Sequence, residues 1–428
     1  MPNRAYVFEH GTLAVGEAVG EHKFTSAQFD ALVRYNERHG CAFFRVGHQR
    51  LHFNSFVGVL QVGTLAIEIL PKAEKSSHPS RFKWQNALLQ MLHQSGLLEV
   101  ESAPEADLEL RRSPLIDLYL ATFVAEVERL AHAGLAKKYR LCQGNLNKLK
   151  GRIVFAQDIR RNLLHRERFF TAHQTYDADN VFNRILKRAL AIVEHLAIRP
   201  SITARAAALM LAFERVSDVR VTAETFTRIT LDRNTVRYHR ALQLARLIIL
   251  NYAPDLTGGS NNVIAILFDM NKLFERFILV HLLRAQSKHP RNQIRVQGQV
   301  SRRFWGYKSI RPDVLIKVQS ETGVQQFILD TKWKIPSGNL PSDEDLKQIY
   351  TYNQQFTSNH GFLVYPRARS GQMELQDAFA ASAWLLPGHR HTCGTHFIEL
   401  FDAEGHLRKD IGTRLIDRIL ATAPTLPE

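Results

Sequence analysis

The chain from residue 311 to residue 333 reads RPDVLIKVQSETGVQQFILDTKW. The apolar run Val314–Val318 predicts a β-strand, and Phe327-Ile328-Leu329 begins a second strand. Between these two runs, Ser320-Glu321-Thr322-Gly323 has the composition of a turn. The segment therefore predicts two neighbouring strands joined by a short connection.

Three ionisable residues stand at the ends of these strands. Because side chains alternate along a strand, Asp330 and Lys332 share one face. Asp313 stands at the start of the neighbouring strand, where it can approach the same edge. Two carboxylates can hold a hard divalent cation through oxygen, and a lysine ammonium supplies a compact positive charge beside a phosphate or an attacking water. This pattern favours metal-dependent cleavage of a phosphodiester.

A helix predicted upstream of the strands carries another acid. Residues 268–280 have an apolar face that includes Leu273, Phe274 and Phe277. Glu275 lies beside this face and can supply a third carboxylate to the same cation. The alternative is an exposed helix glutamate paired with a nearby cation, and the residue pattern leaves both interpretations open.

A helix predicted downstream carries two polar residues that suit the same site. Gln348 and Tyr352 are four residues apart, so their side chains lie on one helix face. The glutamine can orient the lysine or a phosphate by hydrogen bonding, and the tyrosine can donate a hydrogen bond or stack. Ordinary helix packing is the alternative, but order and spacing together favour a role in the site.

The charge of the chain favours a polyanionic partner. Its 56 Lys and Arg residues exceed its 41 Asp and Glu residues, giving a net charge of +15, as is common in proteins that bind nucleic acid. Arg295, Arg302 and Arg303 precede the first strand and suit contact with a phosphate backbone. A solvated basic face is the commoner explanation for such a charge run.

Several classes of protein are disfavoured by what the sequence lacks. The three cysteines are widely separated and odd in number, so we expect no disulfide framework and a cytoplasmic location. No apolar run approaches the roughly 18 residues of a membrane-spanning helix. The G-x-x-x-x-G-K-[ST] phosphate-binding motif is absent, so any hydrolysis of a nucleoside triphosphate would be performed by another chain.

A histidine-rich segment near the C-terminus offers a competing metal site. His389, His391, Cys393 and His396 can all ligate a metal. Their spacing departs from the paired knuckles of a usual zinc site. We therefore expect a loop that enters a strand.

The length of 428 residues predicts several domains. Residues 1–105 are predicted to form a β-rich N-terminal domain and residues 106–255 a mostly helical middle region. Residues 256–428 are predicted to form an α/β domain that contains the strands described above. A Gly-, Ser- and Asn-rich break at residues 255–262 marks the second boundary. The predicted fold class is thus multidomain, combining α/β and α+β architecture.

The middle region contains a basic loop at residues 144–152. Lys148, Lys150 and Arg152 stand among glycines and asparagines, which is typical of a turn held against an anionic surface. An ordinary solvated hairpin is the simpler interpretation and is favoured by residue types alone.

Taken in order, these segments resemble the McrC family, the nuclease subunits of McrBC modification-dependent restriction systems. Pro312-Asp313 matches the first half-motif of a PD-(D/E)xK nuclease core, and Asp330-Thr331-Lys332 fits the second. Other segments match in the same order along the chain: Ile67–Lys72, Leu146–Arg152, Asn183–Lys187 and Met270–Glu275.

The resemblance implies a Mg²⁺-dependent DNA endonuclease with a C-terminal PD-(D/E)xK core built on a mixed sheet. Asp313, Asp330 and Glu275 would bind Mg²⁺, and Lys332 would act in catalysis. Gln348 and Tyr352 would assist. In related sequences alanine often stands between the second acid and the lysine. Here it is Thr331, whose side chain is expected to point to the face opposite Asp330 and Lys332.

The resemblance also implies partners. A separate McrB-like AAA+ GTPase would recognise and translocate methylated DNA, and the N-terminal side of the chain would dock on it through the loop of Lys148, Lys150 and Arg152. Two alternatives remain from the residues alone. One is a non-catalytic DNA-binding adaptor that regulates a partner NTPase, and the other is a nuclease that acts on RNA.

Overall fold

The computed structural model describes residues 3–19, 22–73, 80–97, 115–254, 261–288, 293–320, 323–368, 372–380 and 391–422. Both predicted domain boundaries, near residues 105 and 255, fall outside these ranges, as does His389. No helix within the ranges combines the length and the hydropathy that crossing a membrane requires.

The N-terminal part of the chain consists of short strands and two helices. Its elements in chain order are β1 (Asn3–Phe8), β2 (Thr12–Ala14), β3 (Ala18–Val19), β4 (His22–Lys23), α1 (Ser26–Arg38), β5 (Phe44–Gly47), β6 (Arg50–Phe53), β7 (Phe56–Val62), β8 (Leu65–Leu70) and α2 (Arg81–Gln94). Helix α1 begins at a capping box, in which the side chain of Thr25 accepts from Gln28 N–H and Gln28 Oε1 accepts from Thr25 N–H. These two bonds satisfy donors that the first helical turn leaves unpaired.

The middle part is mostly helical, with one small antiparallel sheet. Its elements are α3 (Leu115–His132), β9 (Lys138–Leu146), β10 (Arg152–Ile153), α4 (Phe155–Asn162), β11 (Phe169–Asp177), α5 (Val181–Leu196), α6 (Pro200–Met210), α7 (Ala223–Thr227), α8 (His239–Leu250) and β12 (Tyr252–Ala253), with 3₁₀ turns at Leu211–Phe213 and Val236–Tyr238. Strands β9 and β11 pair along nine residues each. The basic loop predicted at residues 144–152 is partly strand, because residues 144–146 end β9 and Arg152 begins β10; Lys148 and Lys150 lie in the connection between them.

The C-terminal part alternates strands and helices. Its elements are β13 (Val263–Asp269), α9 (Met270–Gln286), β14 (Ile294–Gly298), β15 (Arg302–Trp305), β16 (Lys308–Ile310), β17 (Val314–Ser320), β18 (Gly323–Thr331), α10 (Asp343–Phe356), β19 (His360–Pro366), β20 (Gln376–Ala378), β21 (Thr392–Ile398) and α11 (Ile411–Thr422), with a 3₁₀ turn at Ser337–Asn339. The two strands predicted from the 311–333 segment are β17 and β18.

Two mixed sheets organise the molecule. One has the order β1-β8-β7-β13-β12, with a parallel β1–β8 pair and antiparallel pairs elsewhere. The other has the order β14-β17-β18-β19-β21-β20, in which β18, β19 and β21 are parallel to each other. A multidomain α/β protein with a mixed C-terminal sheet is what the sequence predicts.

Strand β13 joins the N-terminal sheet although it lies beyond residue 255. It pairs with β7 from Val263 opposite Val62 to Asp269 opposite Phe56. The sheet therefore contains strands from both sides of the predicted second boundary.

A continuous apolar core connects the two large sheets. Trp84 of α2 and Phe274 of α9 pack against Trp333, which follows β18, with ring centroids 6.3 Å and 5.1 Å away. All three side chains belong to one buried cluster. The end of β18 is thus fixed by elements from both the N-terminal and the C-terminal parts.

Candidate active site

The register of β17 and β18 brings two acids face to face. Val314 pairs with Leu329 in the antiparallel ladder, so the residues that follow outward, Asp313 and Asp330, oppose one another. Directly opposed residues have Cβ atoms about 5 Å apart. The carboxylates therefore share one end of the sheet, where Asp330 is fully buried and Asp313 is half-buried.

Lys332 lies on the same face as Asp330, as strand alternation predicts. Its Nζ is 2.6 Å from Asp330 Oδ2 and donates to Gln348 Oε1 at 2.8 Å. Burial alone would lower the pKa of Lys332, but the charge and hydrogen bond of Asp330, together with the charges of Asp345 and Asp313, outweigh it and hold the lysine pKa above its ordinary value. The lysine is therefore charged and held in a fixed position.

Helix α10 supplies two further members of this cluster. Gln348 Nε2 donates to the hydroxyl oxygen of Tyr352 at 2.8 Å, and that hydroxyl donates to the carbonyl of Arg311 at 3.1 Å. The chain of hydrogen bonds runs from Lys332, which directly follows β18, through α10 to the backbone carbonyl of Arg311, two residues before Asp313. It fixes the lysine relative to both acids.

The three acids of this cluster, Asp330, Asp313 and Glu275, all have pKa values raised above their ordinary values. Burial, and next the charge of Asp313, raises the pKa of Asp330. Burial also raises the pKa of Asp313, partly offset by hydrogen bonds from Thr331. Burial raises the pKa of Glu275, and Asp313 raises it further. Three buried or half-buried carboxylates, of which Asp313 disfavours the ionisation of the other two, fit a hard divalent cation.

Gln299 connects Glu275 to Asp313 and was missed from the sequence. Its Nε2 donates to Glu275 Oε1 at 2.5 Å, and its backbone N–H donates to the carbonyl of Asp313 at 2.9 Å. Its φ is +50°, a conformation that is uncommon for a residue other than glycine. No sequence motif singles out a glutamine that reaches 24 positions back along the chain.

Thr331 plays a part that the sequence interpretation did not foresee. Its hydroxyl and its backbone N–H both donate to Asp313 Oδ2, each at 2.7 Å. The side chain that was expected only to point away from Asp330 and Lys332 reaches across to the neighbouring strand. It orients one of the acids.

Asp345 is another buried acid that the sequence analysis left out. Its Oδ2 lies 2.6 Å from Lys334 Nζ, and its Oδ1 lies 3.7 Å from Lys332 Nζ. It stands one helical turn before Gln348, and that spacing on α10 was the available signal. Asp345 adds negative charge on the far side of the lysine.

The cations predicted to contact nucleic acid lie on the edge strand of this sheet and on a separate hairpin. Arg295 is exposed on β14, which pairs with β17. Arg302 and Arg303 are exposed on β15, where the first bonds the carbonyl of Gln355 and the second that of Gly306. Lys148 and Lys150 are exposed in the connection from β9 to β10, part of a different sheet.

The other potential metal ligands have different surroundings. His391, Cys393 and His396 are buried at or on β21, and His396 Nδ1 lies 3.1 Å from Glu374 Oε2. A tighter set is formed by Asp402, Glu404 and His406, whose ligand atoms come within 4.8 Å of one another on a turn. Because that turn lies mostly in solvent, it offers a weaker environment for catalysis than the β17–β18 end.

Solved structures and a curated relative resemble this chain. A chain of the half-complex from a tetradecameric assembly of Thermococcus gammatolerans McrB AAA+ hexamers with bound McrC aligns with a TM-score of 0.67 at 18% identity, covering 97% of this chain and all of that one. A cryo-EM structure of the McrBC complex of that organism aligns with a TM-score of 0.50 at 21% identity, covering 67% of this chain and 89% of that one. These similarities show a shared fold.

Comparison of sequences identifies a relative and a matching family model. The type IV methyl-directed restriction enzyme EcoKMcrBC of Escherichia coli K12 is 25% identical over 162 residues, 37% of this chain, and the chain spans about half of that relative's length, 47%. The family model described as McrBC 5-methylcytosine restriction system component matches residues 51–366. Because that match covers well over half of this chain, the chain belongs to the family of McrBC 5-methylcytosine restriction system components.

Proposed function

We propose that this chain is the Mg²⁺-dependent DNA endonuclease subunit of a modification-dependent restriction system, with a C-terminal core of the PD-(D/E)xK type. One observation carries the assignment. The β17–β18 register sets Asp313 opposite Asp330, and Lys332 is ion-paired to Asp330 at 2.6 Å. A restriction system acts on DNA in the cytoplasm, so a cytoplasmic location belongs to the same proposal.

Asp313 and Asp330 would hold Mg²⁺, with Glu275 as a third acid. Carboxylate oxygens suit a hard cation, and the raised pKa of each acid, caused first by burial, indicates a site in which positive charge is favoured. A bound Mg²⁺ polarises the phosphate and lowers the pKa of its water. Thr331 and Gln299 keep the first and third acids in place.

Lys332 brings fixed positive charge to the same point. Asp330 and Gln348 hold the ammonium group of Lys332 in one position. Because the group is preorganised, it can donate to a phosphate oxygen or to the attacking water without first changing its side-chain conformation. Tyr352 fixes Gln348 in turn. The charge that develops on the phosphate is thus stabilised by a group already in position.

The substrate class follows from family and charge. Arg295 is exposed on β14, which pairs with β17, and Arg302 and Arg303 are exposed on β15 of the β15–β16 hairpin, where they can contact the DNA backbone. Methylated DNA is proposed because the matched family is described by 5-methylcytosine restriction.

A McrB-like AAA+ GTPase is the proposed partner, and the β9–β11 sheet with α4 is its proposed docking surface. Tyr139, Leu141 and Leu164 are largely exposed there, and clustered apolar exposure is typical of interaction surfaces. Lys148, Lys150 and Arg152 add positive charge at the tip. The T. gammatolerans structure described as McrB hexamers with bound McrC supports this choice of partner.

The test is a cleavage assay on methylated and unmodified DNA, with and without the co-encoded NTPase, in Mg²⁺ or EDTA. Asp330→Asn and Lys332→Ala are expected to reduce cleavage at least a thousandfold and to leave the fold and the association with the NTPase intact. Asp377→Asn, which changes an exposed acid on β20, is the matched control and should cut normally. Undiminished cleavage by either active-site variant would remove the assignment.

The adaptor alternative makes the opposite prediction. A regulator of a partner NTPase would bind DNA and alter NTP hydrolysis equally well with or without Asp330 and Lys332. Cleavage of RNA in preference to DNA in the same assay would favour the third possibility.

A further inference from the structure

We propose that the β15–β16 hairpin is a wedge that inserts aromatic side chains between base pairs of duplex DNA close to the scissile phosphate. This inference rests on the proposed function and adds a structural element to it. The hairpin consists of Arg302–Trp305 and Lys308–Ile310 joined by Gly306 and Tyr307.

The hairpin exposes three aromatic rings at or next to its turn. Phe304 is 50% exposed, Trp305 71% and Tyr307 92%. Large aromatic side chains are ordinarily among the most buried groups of a protein, and a cluster of them in water marks a binding surface. The expected partner is therefore one that can cover flat rings.

The charge around these rings selects a polyanion. Residues 301–312 include Arg302, Arg303, Lys308 and Arg311 and contain no acid. Cations that alternate with aromatic residues are typical of nucleic-acid binding, in which the cations contact phosphates and the rings stack on bases. A protein partner would need a matching acidic and apolar surface, whereas DNA supplies both phosphates and base faces.

The base of the hairpin is anchored against α10, and this restricts the motion of the tip. The guanidinium of Arg302 lies 4.9 Å from the ring centroid of Phe356 on α10 and bonds the carbonyl of Gln355. Ile310 packs against the apolar cluster beneath α10. Gly306 has a φ of +54°, which a tight turn requires and glycine adopts easily. Little conformational entropy is then lost when the tip engages a ligand.

The hairpin is also close to the acids along the chain. Tyr307 and Asp313 are six residues apart, so at most about 21 Å of chain separates them. At a rise of about 3.4 Å per base pair this distance corresponds to about six base pairs. The tip can therefore reach the same duplex within one helical turn of the phosphate that Asp313 and Asp330 would address.

Insertion into the duplex is the mode that fits these rings. Base faces are hidden within stacked DNA and become available only where a base step opens. Proteins open such steps with apolar wedges and bend the duplex. A bend at this distance would present the strand to the acids, which links the hairpin to cleavage.

The test uses the full chain in EDTA, so that binding is measured without cleavage. The probes are short duplexes that carry 2-aminopurine at successive positions, and the variant is Trp305→Ala/Tyr307→Ala. The native chain should raise 2-aminopurine fluorescence, because unstacking relieves quenching. The variant should lose this rise and bind at least tenfold more weakly, with an unchanged dependence of affinity on salt because no phosphate contact is removed.

Two controls separate stacking from general damage. Trp305→Phe/Tyr307→Phe keeps flat rings and should bind and unstack as the native chain does. Phe82→Ala removes an exposed aromatic ring from α2 and should have no effect. By contrast, Arg303→Ala should reduce the salt dependence by about one contact if this arginine binds a phosphate.

Two results would overturn the wedge, and both can be told apart from failure of the nuclease assignment. One is equal affinity and equal fluorescence for native chain and alanine variant. The other is the absence of a fluorescence rise with the native chain. In either case, Mg²⁺-dependent cleavage by the native chain would still support the nuclease. If the first of these results is accompanied by lost association of the alanine variant with the NTPase, the hairpin belongs to a protein interface instead.

Discussion

At the scale of single residues, the two acids are held in different ways. Asp330 is buried and forms an ion pair with Lys332. Asp313 directly precedes β17, and its carboxylate is oriented by two hydrogen bonds from Thr331. Of the two bonds to Asp313, one comes from backbone and persists whatever residue occupies position 331. The hydroxyl is thus a support that can be removed separately.

Thr331→Ala should therefore weaken the site without destroying it. A hydrogen bond to a charged acceptor contributes about 1.5–3 kcal/mol, and part of this is retained because the backbone N–H still donates. We expect a fall in the cleavage rate of about tenfold and a rise in the Mg²⁺ concentration required for half-maximal rate. Thr331→Ser should restore both, and Asp313→Asn should abolish cleavage. A thousandfold loss in the alanine variant would show that the hydroxyl has a direct role.

The same residues show what a sequence can and cannot reveal. Asp330 and Lys332 were predictable because strand alternation is a local rule, and Gln348 and Tyr352 because helical spacing is another. Gln299 was not predicted, since it reaches the site only through tertiary packing, and Asp345 was overlooked although its helical spacing from Gln348 was a usable signal. The contact of Thr331 with Asp313 was not predicted because alternation along one strand carries no information on the neighbouring strand.

At the scale of elements, β1 and β18 are connected by a buried carboxylate. Glu9, just after β1, accepts from the indole N–H of Trp333 at 2.6 Å and from the backbone N–H of Lys72 at 2.8 Å. Burial raises the pKa of Glu9 to about 7. The side chain is thus one point where the N-terminal sheet holds the strand that carries Lys332.

Glu9 should make stability depend on pH. The folded chain keeps a proton on Glu9 up to about pH 7, whereas an unfolded glutamate releases it near its ordinary pKa of 4.5. Unfolding is therefore favoured progressively as pH rises from about 4.5 to 7, by roughly 3 kcal/mol in total. Glu9→Gln should remove this contribution.

Urea unfolding of both proteins between pH 5 and pH 8 measures the effect. The free energy of unfolding of the native chain should fall with pH relative to that of Glu9→Gln, and the difference should level off above about pH 7. Parallel curves for the two proteins would contradict the burial of a protonated Glu9.

Helix α10 is held against the C-terminal sheet by a close approach at Gly361. A Cβ built at this position on β19 would meet the side chains of Ile349 and Asn353 on the helix. The helix also carries Gln348 and Tyr352, so its distance from the sheet sets the position of Lys332.

Gly361→Ala should displace α10 and lower the free energy of unfolding by about 1–3 kcal/mol, as overpacking of a core does. Cleavage should fall more than global stability explains, because Gln348 moves with the helix. Gly144→Ala is the matched control, since its Cβ would meet no atom within 4 Å. Thermal unfolding and cleavage at a temperature where both variants are folded separate the two effects. Equal stability of the two variants would refute the close packing.

At the scale of the whole molecule, the N-terminal and C-terminal parts share one core. The pattern of apolar residues along the chain predicted the mixture of strand-rich and helical regions. The cluster of glycine, serine and asparagine near residue 255 also predicted a division there. Neither pattern could predict that β13, past this division, would complete the N-terminal sheet, because pairing of Val263 with Val62 spans about two hundred residues and leaves no local pattern.

The three-part domain division stays a prediction, and the sheet suggests how to test it. A fragment of residues 261–428 keeps every acid of the candidate site but leaves β13 without β7 and exposes Trp333, which packs on Trp84. An unpaired apolar strand of this kind promotes association. We expect the fragment alone to aggregate or to unfold well below the melting temperature of the full chain.

Co-expression with a fragment of residues 1–254 should rescue it, because the break between 254 and 261 leaves the β7–β13 ladder and the shared core intact. Circular dichroism and size-exclusion chromatography would show whether the two fragments form a folded one-to-one complex, and the cleavage assay would show whether the site is restored. A fragment of residues 261–428 that is monomeric, cooperatively folded and active by itself would establish an independent nuclease domain. It would also mean that the contacts of Glu9 and Trp84 with Trp333 are dispensable for holding Lys332.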